Sequence, residues 1–347
     1  MMAGTAAQKL SFFRCAFALA LAVTFTASCV AAAGAELLYV SIPTGTNNAV
    51  ITYDISLGDA TAIRNSQQTF ASGTSVAAPQ GLAIDQQGNV FVANQLSSSI
   101  AKFDANGTLL ATIGSGTSLN MPMGLALSPA GVLYAANFGS VGPAASSVAQ
   151  FDAAGNFVAA LTAQINQPLG VAVDTTGNVF AGNWFLDTVS KFDASGAFLA
   201  TIGSSSTITN PGGLVTSPAG GLYVASEGAG VISLFDATGT YQASIGAGAS
   251  LVSPAGVALD RLGNLYVSSG TDSSNSLISK FDAAGAFQFS WSVPDVSGFL
   301  ATRPVAVPEP ATGLIVATGV VGMQFLRRRP PTGSRRRRGF PTDGLWS

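Results

Sequence analysis

Through the middle of the chain, apolar residues fall in short runs that alternate with polar positions, and each run is closed by a turn signal. Period-two alternation with such frequent punctuation predicts short β-strands joined in hairpins, with no long amphipathic helical stretch between them. The clearest unit runs from Pro168 to Gly203. Gly170 to Asp174 reads as a first strand, Thr175-Thr176-Gly177 as a turn and Asn178 to Ala181 as a second strand. After a loop, Val189 to Asp193 reads as a third strand, Ala194-Ser195-Gly196 as a turn and Ala197 to Gly203 as an outer fourth. The Asp-x-x-Gly turns suit hairpins, because Asp accepts backbone N–H groups and Gly takes the positive-φ position.

Five units open with Pro-x-Gly, at Pro79, Pro122, Pro168, Pro211 and Pro254, and their glycines step by 43, 46, 43 and 43 residues. A fixed period of this length predicts a repeated four-stranded blade and an all-β fold, a six-bladed propeller. Gly and Ala fill the first strand of each unit because innermost strands crowd at a propeller axis. The aromatic residue before each third-strand Asp (Phe103, Phe151, Phe192, Phe235, Phe281, with Tyr53 in the first unit) reads as packing between neighbouring blades. Residues 37–78 form a partial unit in which Leu37 to Ile42 and Ala49 to Ile55 match second and third strands, and nothing matches the first. Pro304-Val305-Ala306-Val307 is expected to supply that strand and close the ring, which removes an open sheet edge. The alternative is five blades and an irregular cap.

Charge changes the picture of partners. Between Glu36 and Ala306 there are six basic residues against fifteen acidic ones. So acidic a body argues against nucleic acid, whose phosphates are held by Lys and Arg. Cys15 and Cys29 both precede the expected mature start, so neither disulfides nor thiolate ligands serve the body. The absence of histidine removes the commonest general base and the commonest zinc ligand. No HExxH, GxSxG, P-loop or CxxC pattern is present either.

The two ends read as addresses. Lys9 and Arg14, the apolar stretch Cys15 to Phe25 and the small residues Ala33-Gly34-Ala35 form the three parts of a secretory signal peptide, with cleavage expected after Ala35. At the other end, Pro308-Glu309-Pro310, an apolar run from Gly313 to Leu326 and Arg327-Arg328-Arg329 resemble the PEP-CTERM sorting signal of Gram-negative bacteria. The prolines keep the chain extended, the apolar helix enters the bilayer and the arginines stop transfer. That resemblance implies recognition by an exosortase, processing near Pro308 to Pro310, and transient membrane insertion. One departure is the continuation from Pro330 to Ser347 with a second Arg block; the alternative is a plain C-terminal anchor with a basic tail. The expected organisation is thus a signal peptide (1–35), a propeller (36–306), a sorting signal (307–329) and a basic disordered tail (330–347).

Pro-x-Gly-Val-Ala-Val-Asp-x-x-Gly-Asn-Val-Phe and the later Lys-Phe-Asp-x-x-Gly resemble the NHL repeat, strongly over residues 79 to about 290. In several NHL-like propellers the loops at one end of the channel carry the active site. Asn94, Asn137 and Asn183 recur after the second strand in three successive units, becoming Ser226 and Ser269 in the next two. These amides are expected at one channel mouth, facing a divalent cation or a sugar hydroxyl, with Glu227 or Asp187 nearby. Alternatively, each Asn bonds the backbone of its own turn. Trp184, in a loop beside Asn183, is the candidate for stacking on a carbohydrate ring, whereas Trp291 falls in an outer strand. Streptogramin lyases resemble this repeat but depend on a histidine. The resulting expectation is a non-enzymatic binding or scaffold propeller without cofactor, surface-displayed or secreted, partnered by the export machinery, an exosortase and a polysaccharide or protein ligand. The rival is an extracellular cation-dependent hydrolase or lyase acting at the channel mouth.

Overall fold

The computed structural model describes residues 35–43, 48–114, 117–139, 145–247, 251–270, 276–293 and 298–302. They form six four-stranded antiparallel sheets, the blades of a six-bladed propeller. Strands are lettered A to D from the axis outward. Blade 2 is Pro79–Ile84, Val90–Asn94, Ser99–Phe103 and Leu109–Ile113, and blade 3 is Pro122–Leu127, Leu133–Asn137, Ser147–Phe151 and Phe157–Leu161. Blade 4 is Pro168–Val173, Val179–Asn183, Thr188–Phe192 and Phe198–Ile202. Blade 5 is Pro211–Thr216, Leu222–Ser226, Val231–Phe235 and Tyr241–Ile245, and blade 6 is Val257–Leu259, Leu265–Ser269, Leu277–Phe281 and Phe287–Ser292.

Blade 1 is assembled from both ends of the ring. Its B, C and D strands are Leu37–Ile42, Ala49–Asp54 and Gln68–Ser72, and its A strand is Leu300–Thr302. The closing strand pairs Leu38 with Thr302, Tyr39 with Ala301 and Val40 with Leu300. This corrects the placement expected from Pro304 to Val307, which lies outside the described residues. The physical reason is burial: Leu300 enters the cluster of Leu38, Val40 and Tyr53, and the Ser41 hydroxyl and N–H both donate to the Phe299 carbonyl. Five residues, 303–307, therefore separate the closing strand from Pro308.

The core is not central but divided among six wedges, each shared by two blades. Phe235 of blade 5 packs with Phe180 and Val189 of blade 4 and with Ile208 of the loop that joins the two blades, and Phe192 of blade 4 packs with Tyr134 and Val148 of blade 3. The wedge between blades 6 and 1 joins Tyr266, Ile278 and Trp291 to Leu38, Ile51 and Tyr53, so the ring is closed by side chains as well as by backbone. The recurring aromatics before Asp are buried, as expected of inter-blade packing. A short helix, Ala60–Asn65, sits between the C and D strands of blade 1 and drops Ile63 into the same wedge; the Asp59 carboxylate caps it by accepting from the Thr61 and Ala62 N–H groups.

Near the axis the glycines of Pro-x-Gly are required by close approach of backbones. A Cβ at Gly124 would lie 2.8 Å from the Val171 nitrogen and 2.9 Å from the Leu169 carbonyl oxygen of the next blade. At Gly213 and Gly256 it would lie 2.8 Å from the Ala255 and Gly298 carbonyl oxygens, which lead into the next A strand. The expected signal segment, apart from Ala35, and the expected sorting segment lie outside the described residues. Among the described residues no helix is long and apolar enough to cross a membrane.

Candidate functional site: the channel mouth

Every A strand of blades 2 to 6 is entered through a side-chain-bearing residue in the left-handed region: Ala78, Met121, Gln167, Asn210 and Ser253, with φ between 43 and 49°. Each such residue costs about 1–2 kcal/mol, and each precedes the proline of Pro-x-Gly. The arrangement is held by the neighbouring B strand. The residue just beyond that strand donates its N–H to the left-handed residue's carbonyl in four blades: Gln95 to Ala78, Phe138 to Met121, Trp184 to Gln167 and Glu227 to Asn210. In blade 6 Gly270 donates instead to Val252. One residue per blade is thereby presented at the end of the ring where the A strands begin.

At this mouth lies a cavity of about 180 Å³. Met123, Phe138, Leu169, Trp184, Ala255 and Phe299 give it an apolar, aromatic wall, and Gln80, Gln95, Ser253 and Glu227 supply its polar groups. Gln80 donates through Nε2 to the Gln95 Oε1 at 3.2 Å. No described residue bonds the Glu227 carboxylate, and burial pushes its pKa above the usual carboxylate value. Trp184 and Glu227 sit on adjacent blades and are locked together through Asn210. Its Nδ2 donates to the Trp184 carbonyl at 3.2 Å and its own carbonyl accepts the Glu227 N–H at 3.2 Å. Asp187 fixes Asn210 in turn, its carboxylate accepting the Asn210 N–H at 2.8 Å. The same loops expose large apolar side chains, Leu96 at 78% and Phe185 at 61%.

The other end of the channel holds a cavity of about 240 Å³. Aliphatic side chains such as Ile84, Leu127, Val173 and Leu259 line it. Its hydroxyls are engaged, Thr216 Oγ1 donating to the Val173 carbonyl and Thr302 Oγ1 to that of Leu259. Among the described residues no charged group lines it, so the mouth is the candidate site.

The three asparagines expected at the mouth do not face it. Asn94 Oδ1 accepts the Ala77 N–H and its Nδ2 donates to the Ser75 carbonyl, both at 3.0 Å. Asn137 does the same with Asn120 and Ser118, and adds the Ser147 hydroxyl. Asn183 accepts from Asn166 and donates to the Gln164 carbonyl and to the hydroxyls of Thr188 and Ser190. All three are buried. The correction has a simple cause: the loop leading into each A strand brings backbone donors and acceptors that must be paired, and the amide supplies both kinds. Ser226 replaces Asn in blade 5 because its hydroxyl accepts the matching Thr209 N–H. Of the sequence-derived candidates, Trp184 and Glu227 come together at the cavity. Gln80, Gln95, Met123, Phe138, Leu169 and Phe299 were missed. Two signals find five of the six: the middle residue of Pro-x-Gly (Gln80, Met123, Leu169) and the residue that varies immediately after the recurring Asn (Gln95, Phe138). Trp291 is buried in the blade 6 to blade 1 wedge, edge-on to Tyr53 at 5.8 Å between ring centroids.

Among the described residues no group of three His, Cys, Asp or Glu side chains is placed to hold a metal ion. No protein-family model and no curated protein matches the chain. Solved structures do. A chain of a nidogen/laminin complex superposes with a TM-score of 0.63 at 17% identity, over 78% of this chain and 99% of that one. A protein of unknown function from Bacteroides caccae gives 0.58 at 13% identity, over 78% and 99%. A streptogramin B lyase gives 0.51 at 14% identity, over 76% of each chain. At such identities, what these likenesses establish for this chain is the six-bladed propeller fold.

Proposed function

We propose that this chain is an exported, non-enzymatic binding propeller of NHL-like repeats, which takes part of an envelope or matrix component into the mouth between Trp184 and Glu227. The observation that carries the reading is the contrast at the mouth. The recurring polar residues there are tied to backbone, whereas Glu227 has no partner among the described residues and faces a wall of apolar and aromatic side chains. Concave, mostly apolar sites with a small number of well-placed polar groups are the usual form of a ligand pocket. Leu96 and Phe185 add exposed apolar surface around the opening, of the kind that marks partner contact. The rival, cation-dependent catalysis, loses the amide ligands on which it stood.

The A strand that ends at Thr302 runs away from the mouth, and Glu36, before the first strand, pairs with Arg261 at 3.0 Å in a turn at that far end. The sorting reading itself rests on Pro308-Glu309-Pro310, the apolar run and Arg327 to Arg329. Binding is tested on arrays of envelope polysaccharides and matrix proteins. Trp184→Ala is expected to abolish the signal, and a signal indifferent to that change overturns the site. In an exosortase-bearing host, changing Pro308, Glu309 and Pro310 to alanine is expected to hold the protein in the inner membrane, and unchanged release refutes the sorting reading.

A further inference from the structure

We infer that the mouth receives a protonated amine carried on an apolar stem, with Glu227 as its counter-ion. This ligand class rests on the reading of the mouth as a binding site and narrows it by chemistry.

Among the described residues, Glu227 brings a carboxylate into the cavity and no basic side chain lines its walls. The described lysines are accounted for elsewhere: Lys102, Lys191 and Lys280 lie 5.0 to 5.5 Å from the ring centroids of Phe91, Phe180 and Tyr266 within their own blades. A half-buried carboxylate without a partner is unfavourable until a cation arrives, which agrees with the upward push on its pKa. The cation that suits it is organic. A hydrated metal ion needs several oxygen ligands, and here, among the described residues, one carboxylate stands with Phe138, Trp184 and Phe299. Ring faces attract an ammonium group, and the remaining wall accepts its hydrocarbon stem. Across the axis, three blades from Glu227, the Gln80 and Gln95 amides bond each other and carry no charge. The site therefore matches one positive charge at one side, and an anion would be repelled. A neutral sugar would leave the carboxylate uncompensated.

Isothermal titration of the full chain separates the alternatives with three probes: phenethylamine, its neutral analogue 2-phenylethanol, and glucosamine. Phenethylamine is expected to bind at one site, at least about tenfold more tightly than 2-phenylethanol, as one charged hydrogen bond allows. Glu227→Gln is expected to remove that preference and leave 2-phenylethanol unaffected, whereas Trp184→Ala weakens both aryl probes. Below neutral pH, binding of phenethylamine is expected to release protons, because the ammonium favours the ionised form of a carboxyl whose pKa is raised in the free protein. Equal binding of the two aryl probes overturns the inference, as does amine binding indifferent to Glu227→Gln. Binding of glucosamine without phenethylamine also overturns it. If phenethylamine fails while the polysaccharide and protein arrays still give a signal dependent on Trp184, the amine inference falls and the binding reading stands; loss of both removes both.

Discussion

Glu227 and Asn183 sit on adjacent blades at the same end of the ring, and they differ in what the fold asks of them. Asn183 satisfies four groups: the Asn166 N–H, the Gln164 carbonyl and two hydroxyls. Asn183→Ala leaves buried backbone groups unpaired and is expected to lower unfolding stability by about 2–4 kcal/mol in a denaturant titration. The Glu227 carboxylate satisfies no described residue. Its folded-state pKa is raised by burial, so its favourable contribution is present at low pH and lost as pH rises through that value. Glu227→Gln is therefore expected to raise the melting temperature at pH 7, with the gain shrinking as the pH is lowered. A loss of stability at pH 7 would mean that the carboxylate has a partner. The distinction was half legible in the sequence. A polar residue that recurs in blade after blade serves the blade, which is why Asn94, Asn137 and Asn183 turned out to pair backbone. The residue after it changes from Gln95 to Phe138, Trp184, Glu227 and Gly270, and that variation marks the mouth.

Within a blade, the hairpin turns carry the opposite electrostatics. The Asp193 carboxylate accepts the Ser195 hydroxyl and the Ser195 and Ala197 N–H groups, while the Gly196 backbone sits at φ 88°. The same turn recurs at Asp104, Asp152 and Asp236, and in all four these hydrogen bonds hold the carboxyl below its usual pKa. Each contributes stability that is present above the unfolded-state pKa and lost as pH falls through the lower folded value. The melting temperature is thus expected to fall progressively below about pH 4, where the carboxylates of the turns become protonated. A flat profile would show that the turns do not depend on their charge. These turns were fully legible, since Asp-x-x-Gly names both the acceptor and the positive-φ site. The innermost glycines were legible as crowding, and the structure identifies the atoms involved. Gly124→Ala sets a methyl group against the Leu169 carbonyl and Val171 nitrogen, backbone atoms that cannot rotate away. It is expected to cost about 1–3 kcal/mol or more, read as a drop in denaturation midpoint.

Around the ring, the blades alternate. In blades 2, 4 and 6 the turn between A and B strands is closed by an Asp carboxylate bonded to an Asn side chain: Asp85 with Asn89, Asp174 with Asn178, Asp260 with Asn264. Blades 3 and 5 use Ser128 and Ser217, whose hydroxyls accept the Val132 and Gly221 N–H groups. The lysines that lie over aromatic rings, Lys102, Lys191 and Lys280, also fall in the even blades. A ring of two-blade units closes without setting two like blades side by side only when the blade count is even, which favours six over five. That count was legible from the five Pro-x-Gly units together with the partial unit at residues 37–78, but the closing strand was not. Gly298 and Phe299 stand where the other blades have x and Gly, and Leu300–Thr302 makes only three pairs, too few to leave a pattern. Those three pairs nonetheless bury Leu300 against Leu38 and Val40 and cover the open edge of blade 1. A chain ended after Thr302 is expected to melt as the longer chain does. One ended after Val293 loses a buried leucine and its sheet hydrogen bonds, at least about 3 kcal/mol together. It also exposes a strand edge, so it is expected to be cleaved faster by protease within residues 37–78 and to self-associate. If both chains melt alike, closure resides in the side-chain wedge between blades 6 and 1, and the backbone clasp adds nothing.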